Sequence, residues 1–313
     1  MSQSVASNSG NSGNSGNSGN SGNSGNSGNS GNAGAAGGGG GCWFFPDRVD
    51  LPFVSTPAPN GVKSISAADY RFGHDGTFDR GWTAPWRAWH VLAEFTDTSA
   101  WRNRQRKPGE APRRDGGLAI TDWRTRLTAG GRSLQEAVDA EIDGMIRAAE
   151  DERADAMGEI LSQSNEFISF FLGLLCARPG AHRATGALLE AASLVAVQYF
   201  KQIEDRRRPS QVCPALRPSI EVPGHSAYPS GHATQSFLIA LSLEAAFADG
   251  PAAVMMQPVQ ALAERIARNR EIAGVHYPSD TEAGRELAGV VFEVLKTTPR
   301  FRALIAAAKA EWA

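Results

Sequence analysis

Three short segments of this chain gather cations, histidines and a sharp turn: residues 201–209, 228–232 and 270–280. In the first, Lys201 and Arg208 stand seven apart, about two helical turns, a spacing that predicts both cations on one face at the end of a helix that Pro209 stops. Two fixed donors aimed at one point suit a tetrahedral oxyanion. Taken alone, they read equally as a solvated basic helix end set against the helix dipole, with Arg206 and Arg207 alongside. The second segment, Tyr228-Pro229-Ser230-Gly231-His232, leads into a helix. A hydroxyl and backbone amides near a helix start can converge there on an anion, with His232 at the edge as a general acid. By itself this is also simply a turn followed by a helix. In the third, His276 follows Arg270 by six residues and precedes Asp280 by four. A carboxylate beside one ring nitrogen holds the tautomer and makes the other nitrogen more basic, as a nucleophilic or metal-binding histidine requires. The plain alternative is a buried ion pair, and the Ser279 and Glu282 spacing adds a capping box to a helix start.

These segments need rigid elements to hold them, and the periodicity supplies helices. From Ser133, which forms a capping-box spacing with Glu136, an Ala-, Glu- and Leu-rich helical pattern runs to Leu175 and is broken by Pro179 and Gly180. Further helical patterns cover residues 184–207, 232–248, 251–270, 278–296 and 302–312, and no alternating strand-like run interrupts them. The prediction is an all-α bundle. Residues 43–130 are rich in Pro, Gly and Trp. Trp82, Trp86 and Trp89, around Pro85, predict a short helix whose aromatic stripe faces the core. The basic stretch from Arg102 to Arg114 reads as a solvated loop.

Composition narrows the function classes. The 31 basic and 33 acidic residues of the 313-residue chain all lie after residue 42, and the net charge of −2 offers no general attraction to nucleic acid or to an anionic membrane. From Asn8 to Gly31 the triplet Asn-Ser-Gly repeats, then gives way to polyglycine up to Gly41. Such a segment has nothing to offset the entropy of ordering, so residues 1–42 are expected to be a disordered tail and residues 43–313 a single helical catalytic domain, with its motifs in the 131–313 part. Cys42, Cys176 and Cys213 are too few and too scattered for a disulfide framework or a zinc site. No apolar run approaches the ~20 residues of a membrane span, and no signal peptide is read, so a cytoplasmic protein without a span is expected.

Taken together, the order Lys, six residues, Arg-Pro, then Pro-Ser-Gly-His, then Arg, five residues, His, three residues, Asp resembles the type 2 phosphatidic acid phosphatase and vanadium haloperoxidase superfamily. The resemblance covers about 80 residues, and every charged motif position is present. One departure is Asn269, where the family usually has serine before the last arginine; it should weaken one hydrogen bond at most. The resemblance implies a helical bundle of the acid phosphatase and vanadium haloperoxidase type. It also implies a pocket in which Lys201, Arg208 and Arg270 neutralise the oxygens of phosphate or vanadate, with Ser230 and the Gly231 amide donating further bonds. His276 would then attack phosphorus or ligate vanadium, held by Asp280, while His232 protonates the leaving oxygen and activates water.

Two chemistries fit that pocket. Residues 274–280, Gly-Val-His-Tyr-Pro-Ser-Asp, look like the soluble acid phosphatases, and the chain is short beside typical haloperoxidases. Residues 231–235, Gly-His-Ala-Thr-Gln, look like the algal bromoperoxidases. His225 falls where those enzymes carry a second histidine, although it also reads as a loop residue after Gly224. Phosphoester hydrolysis needs only the residues present and no cofactor, so the expected activity is a soluble phosphatase acting on small phosphomonoesters through a phosphohistidine. The alternative is a vanadate-dependent haloperoxidase using halide and hydrogen peroxide, with His276 as the vanadate ligand and His225 tuning the halide site. A silent anion-binding or scaffold protein is the remaining class; loss of a motif residue would favour it, and none is lost.

Overall fold

The computed structural model describes residues 83–111, 117–178, 181–194 and 197–313. The proposed tail, residues 43–82 with Trp82, and part of the basic stretch lie outside them. Every regular element among the described residues is helical. The first group is α1 (Ala84–Asp97), α2 (Ser99–Arg102), α3 (Trp123–Thr128), α4 (Leu134–Asp151), α5 (Arg153–Asn165), α6 (Ile168–Leu174) and α7 (Arg183–Ser193). There follow α8 (Val197–Glu204), α9 (Pro209–Val212), α10 (Gly231–Phe247), α11 (Met256–Ile272), α12 (Pro278–Leu295) and α13 (Pro299–Glu311).

The centre of the bundle is α10. Its sequence is apolar on nearly every side, and residues from Ala233 to Phe247 are buried all round the helix, as expected of a helix enclosed by others. Helices α7, α11, α12 and α13 surround it, and α1 packs on the outside against α7 and α13. The closest approach is to α12. A Cβ on Gly284 would lie 2.8 Å from Ala233 Cβ and 2.9 Å from Ser230 O, so only the hydrogen of glycine lets the first turn of α10 sit against α12. The main chain closes the same junction, Ser230 N donating to Asp280 O at 2.9 Å. On the opposite side α4 and α5 form two smaller clusters, Ile142 and Met145 with Tyr277, and Ala148 and Ile160 with Ile272 and Val275.

Local sequence accounts for the ends of these helices. Ser133 and Glu136 form the reciprocal capping box at the start of α4. Glu311 receives the first amides of α7, Ala184 N at 2.6 Å and Thr185 N at 2.9 Å, where a carboxylate meets the positive end of the dipole. Arg153 Nε donates to Ile272 O at 2.8 Å at the end of α11, and Gly274 takes a left-handed φ of 81° to turn the chain toward His276.

Several expectations are corrected. The aromatic stripe of α1 faces outward: Pro85, Ala88, Val91 and Phe95 are buried, whereas Trp86 and Trp89 are 51 % and 45 % exposed. The pattern from Ser133 is three helices rather than one, and α8 ends at Glu204, before the arginine run. Arg104, read as part of a solvated loop, stacks between Trp101 and Tyr199, its guanidinium carbon 4.2 and 4.3 Å from their ring centres. Among the described residues no helix is long and apolar enough to cross a membrane.

Candidate active site

Lys201 and Arg208 meet, but not on one helical face. Asp205 takes a left-handed φ of 35° after α8 and turns the chain, and Arg208 is extended at φ −67°, ψ 151° before Pro209, which opens α9 rather than closing α8. A residue preceding proline is pushed out of the helical region, and extended residues alternate sides. Arg206 and Arg208 are therefore buried while Arg207 between them is exposed. Lys201 Nζ donates to Ser226 O at 3.1 Å and to Ala227 O at 3.3 Å, leaving one of its three N–H groups. A Cβ on Gly231 would touch Lys201 Cε at 3.8 Å, which places the first turn of α10 beside the lysine.

Arg208 is the hub. It donates through Nη1 to Val275 O at 2.8 Å and through Nε to His225 O at 3.0 Å. Its Nη2 lies 2.9 Å from His225 Nδ1 and its Nη1 3.1 Å from His276 Nε2. Burial and then the Lys201 charge lower His225 to about 4, so it is neutral at pH 7 and accepts from Arg208. His276 is likewise held well below its ordinary range, by burial and then by Arg208 and Lys201. Its Nδ1 faces Asp280 Oδ2 at 3.2 Å, which puts the proton on Nδ1 and the lone pair on Nε2.

Asp280 is fixed from three directions. Tyr277 N donates to its Oδ2 at 2.9 Å, and Arg206 Nη1 lies 2.6 Å from its Oδ1. Arg206 and His276 hold it near 2 against the opposing effect of burial. Arg206 also pairs with Glu141 Oε2 at 2.7 Å, donates to Ser279 Oγ and lies over the Tyr277 ring, 3.8 Å from its centre. The Ser279 and Glu282 capping box is not formed: Asp280 caps Tyr277 N, and Ser279 N turns to Glu141 Oε1 at 2.8 Å. A cavity of about 360 Å³ behind this layer touches Glu141 and Ser279 but none of the motif cations or histidines.

The other half is held by α5. Arg270 Nη2 donates to Ile160 O at 3.0 Å, while Nε and Nη1 are buried and have no partner among the described residues. His232 Nε2 lies 3.2 Å from Gln163 O, leaving Nδ1 as the free nitrogen, and the Phe167 ring is 5.2 Å away. Burial and then the Arg270 charge depress His232 to about 3, and burial lowers Arg208 and Arg270 to about 10. Ser230 caps α10, its Oγ accepting from Ala233 N at 3.4 Å with its own hydrogen free to donate.

The residues read as candidates, Lys201, Arg208, Ser230, Gly231, His232, Arg270, His276, Asp280 and His225, thus lie close together in one cluster. Its charge is cationic, because Asp280, the one carboxylate in contact with it among the described residues, is engaged by Arg206 and His276. Such a donor set suits a tetrahedral oxyanion, and His276 Nε2 lies beside it, 3.1 Å from Arg208 Nη1. Among the described residues no group of three His, Cys, Asp or Glu is placed to hold a metal ion. Arg206, Glu141 and Gln163 were missed. The extended conformation imposed before Pro209 is a signal for Arg206; Glu141 and Gln163 arrive from distant helices and leave none.

The chain is 36 % identical over 88 residues to the non-specific acid phosphatase of Salmonella typhi, covering 27 % of this chain and 32 % of that protein. It is 34 % identical over 106 residues to the decaprenylphosphoryl-5-phosphoribose phosphatase of Mycobacterium tuberculosis, covering 34 % of this chain and 54 % of the relative. The chain thus spans between a third and about half of these relatives. A solved structure titled the first transmembrane PAP2 type phosphatidylglycerolphosphate phosphatase from Bacillus subtilis aligns with a TM-score of 0.40 and 19 % identity, over 56 % of this chain and 90 % of that one. No family model matches. The three motif segments in order, and sequence relatives named as phosphatases, support the resemblance of this chain to the type 2 phosphatidic acid phosphatase superfamily.

Proposed function

We propose that this chain is a phosphatase that hydrolyses phosphomonoesters through a phosphohistidine on His276. The observation that carries the reading is the buried cationic cluster of Lys201, Arg208 and Arg270, in which two Arg270 donors have no partner among the described residues, around a neutral histidine whose Nε2 lies 3.1 Å from Arg208 Nη1. The sequence relatives, both phosphatases, support it.

Phosphate oxygens displace the contact between Arg208 and His276 and take up the spare donors of Lys201, Arg270, Ser230 and Gly231. His276 Nε2 then attacks phosphorus; the N–P bond forms as the ester P–O bond breaks, and the imidazolium charge is stabilised by Asp280 through Nδ1. His232 Nδ1 supplies the proton to the leaving oxygen. His232 is neutral in the empty pocket, and the charge of a bound phosphate raises its pKa so that it can carry that proton. In the second half, His232 takes a proton from water, whose oxygen attacks phosphorus as the N–P bond breaks, restoring His276.

The test is turnover of a chromogenic phosphomonoester by the full chain and by His276→Ala, with vanadate as inhibitor. Hydrolysis blocked by vanadate, an acid-labile phosphoprotein intermediate, and at least a thousandfold loss in the variant are expected. Wild-type rates in His276→Ala overturn the assignment. Bromination with vanadate, bromide and peroxide, without phosphate release, gives the pocket to the haloperoxidase chemistry instead.

A further inference from the structure

Gln163, in the last turn of α5 and outside the three motif segments, carries hydrogen-bonding capacity that no described residue uses. It is fully buried. Its Oε1 accepts from Asn269 Nδ2 at 2.9 Å and its main-chain oxygen faces His232 Nε2 at 3.2 Å, but its Nε2 has no partner among the described residues. The orientation of this amide is set by its neighbours. Asn269 Nδ2 also donates to Glu159 Oε2 at 3.1 Å, so Asn269 presents N–H groups to both residues and only an oxygen of Gln163 can face it. The Gln163 NH₂ is thereby directed away from Asn269.

That leaves three buried donors with no partner among the described residues beside the end of α5: Gln163 Nε2, carried by α5, and the Nε and Nη1 of Arg270 on α11, whose Nη2 is anchored on Ile160 O of α5. A native protein seldom leaves so many buried donors together without a ligand to receive them. We propose that Gln163 contacts the substrate, its Nε2 donating to an oxygen of the phosphate group bound between Arg270 and His232. Asn269 is then a positioning residue: the departure from the family's serine is what points the Gln163 amide. This inference rests on the phosphate-binding reading of the pocket.

Gln163→Met keeps the shape and removes the donor. Inorganic phosphate binding to the full chain, measured by calorimetry, is expected to weaken about tenfold, with kcat/KM on a phosphomonoester falling by a similar factor and Tm unchanged or raised. Asn269→Ser should give part of that loss, and the double variant should bind no worse than Gln163→Met, because the two residues act as one unit. A packing role predicts the reverse, a lower Tm with phosphate affinity intact, and that result overturns the inference. The two readings fail separately. A wild-type protein that binds phosphate but does not hydrolyse esters, with Gln163→Met still weakening binding, removes the phosphatase reading and supports the Gln163 contact. A wild-type protein that does not bind phosphate overturns both.

Discussion

The two halves of the pocket are built on opposite plans. Around Asp280 the polar side chains are paired: Arg206 bridges Asp280 and Glu141, Ser279 N closes on Glu141, and Tyr277 N and His276 share the remaining oxygen. Around α5, by contrast, Arg270 and Gln163 keep three buried donors without a partner among the described residues. The first half holds His276 in one tautomer and one place. The second leaves its hydrogen bonds unmade in the protein, where a ligand can complete them, an arrangement that costs stability in the empty state and returns it on binding.

The sharpest way to break that contrast is Arg206→Met. It strands Asp280 and Glu141 as buried carboxylates, so a stability loss of about 3–5 kcal/mol is expected in chemical denaturation, partly recovered in Arg206→Lys. A neutral result would show that the paired half is not holding the site. Arg270→Leu tests the other half and should behave oppositely. It removes a buried guanidinium with two unmade bonds, so Tm should hold or rise while phosphate affinity falls by about 1.5–3 kcal/mol in calorimetry. Equal damage to stability in both variants would erase the distinction.

The smallest expected effect concerns protons. His232 is depressed to about 3 by burial and by Arg270 in the empty pocket, and an anion placed beside it raises that value. A ligand that raises a pKa binds more tightly as pH falls. Sulfate, a dianion throughout the range, should therefore bind better at pH 5 than at pH 8. Calorimetry in two buffers of different ionisation enthalpy should show uptake of a fraction of a proton, reduced in His232→Gln. Proton release on binding would contradict the placement of His232.

What could be read in the sequence was local. The Ser133 and Glu136 box forms as its spacing predicts, the regular elements among the described residues are helical, and the three segments each span a few residues. Spacing misled where a neighbouring residue changed the backbone: Pro209 forces Arg208 out of the helix, so seven residues from Lys201 is a turn and an extended stretch rather than two helical turns. The box at Ser279 failed because Asp280, one residue on, makes the stronger cap on Tyr277 N. Residues brought in from far along the chain were invisible. Glu141 reaches Ser279 across 138 residues and Gln163 reaches Asn269 across 106, and a single sequence carries no trace of such pairs.

The enclosure of α10 has a consequence for how the molecule breathes. A helix covered by α7, α11, α12 and α13 cannot fray at its first turn without separating those neighbours, so Ser230, Gly231 and His232 belong to the most cooperative unit of the domain. Helix α5 has solvent along much of its length. Local opening is therefore concentrated at α5, and the wall of the pocket that carries the unmade bonds is also the wall best able to yield when a ligand enters or leaves.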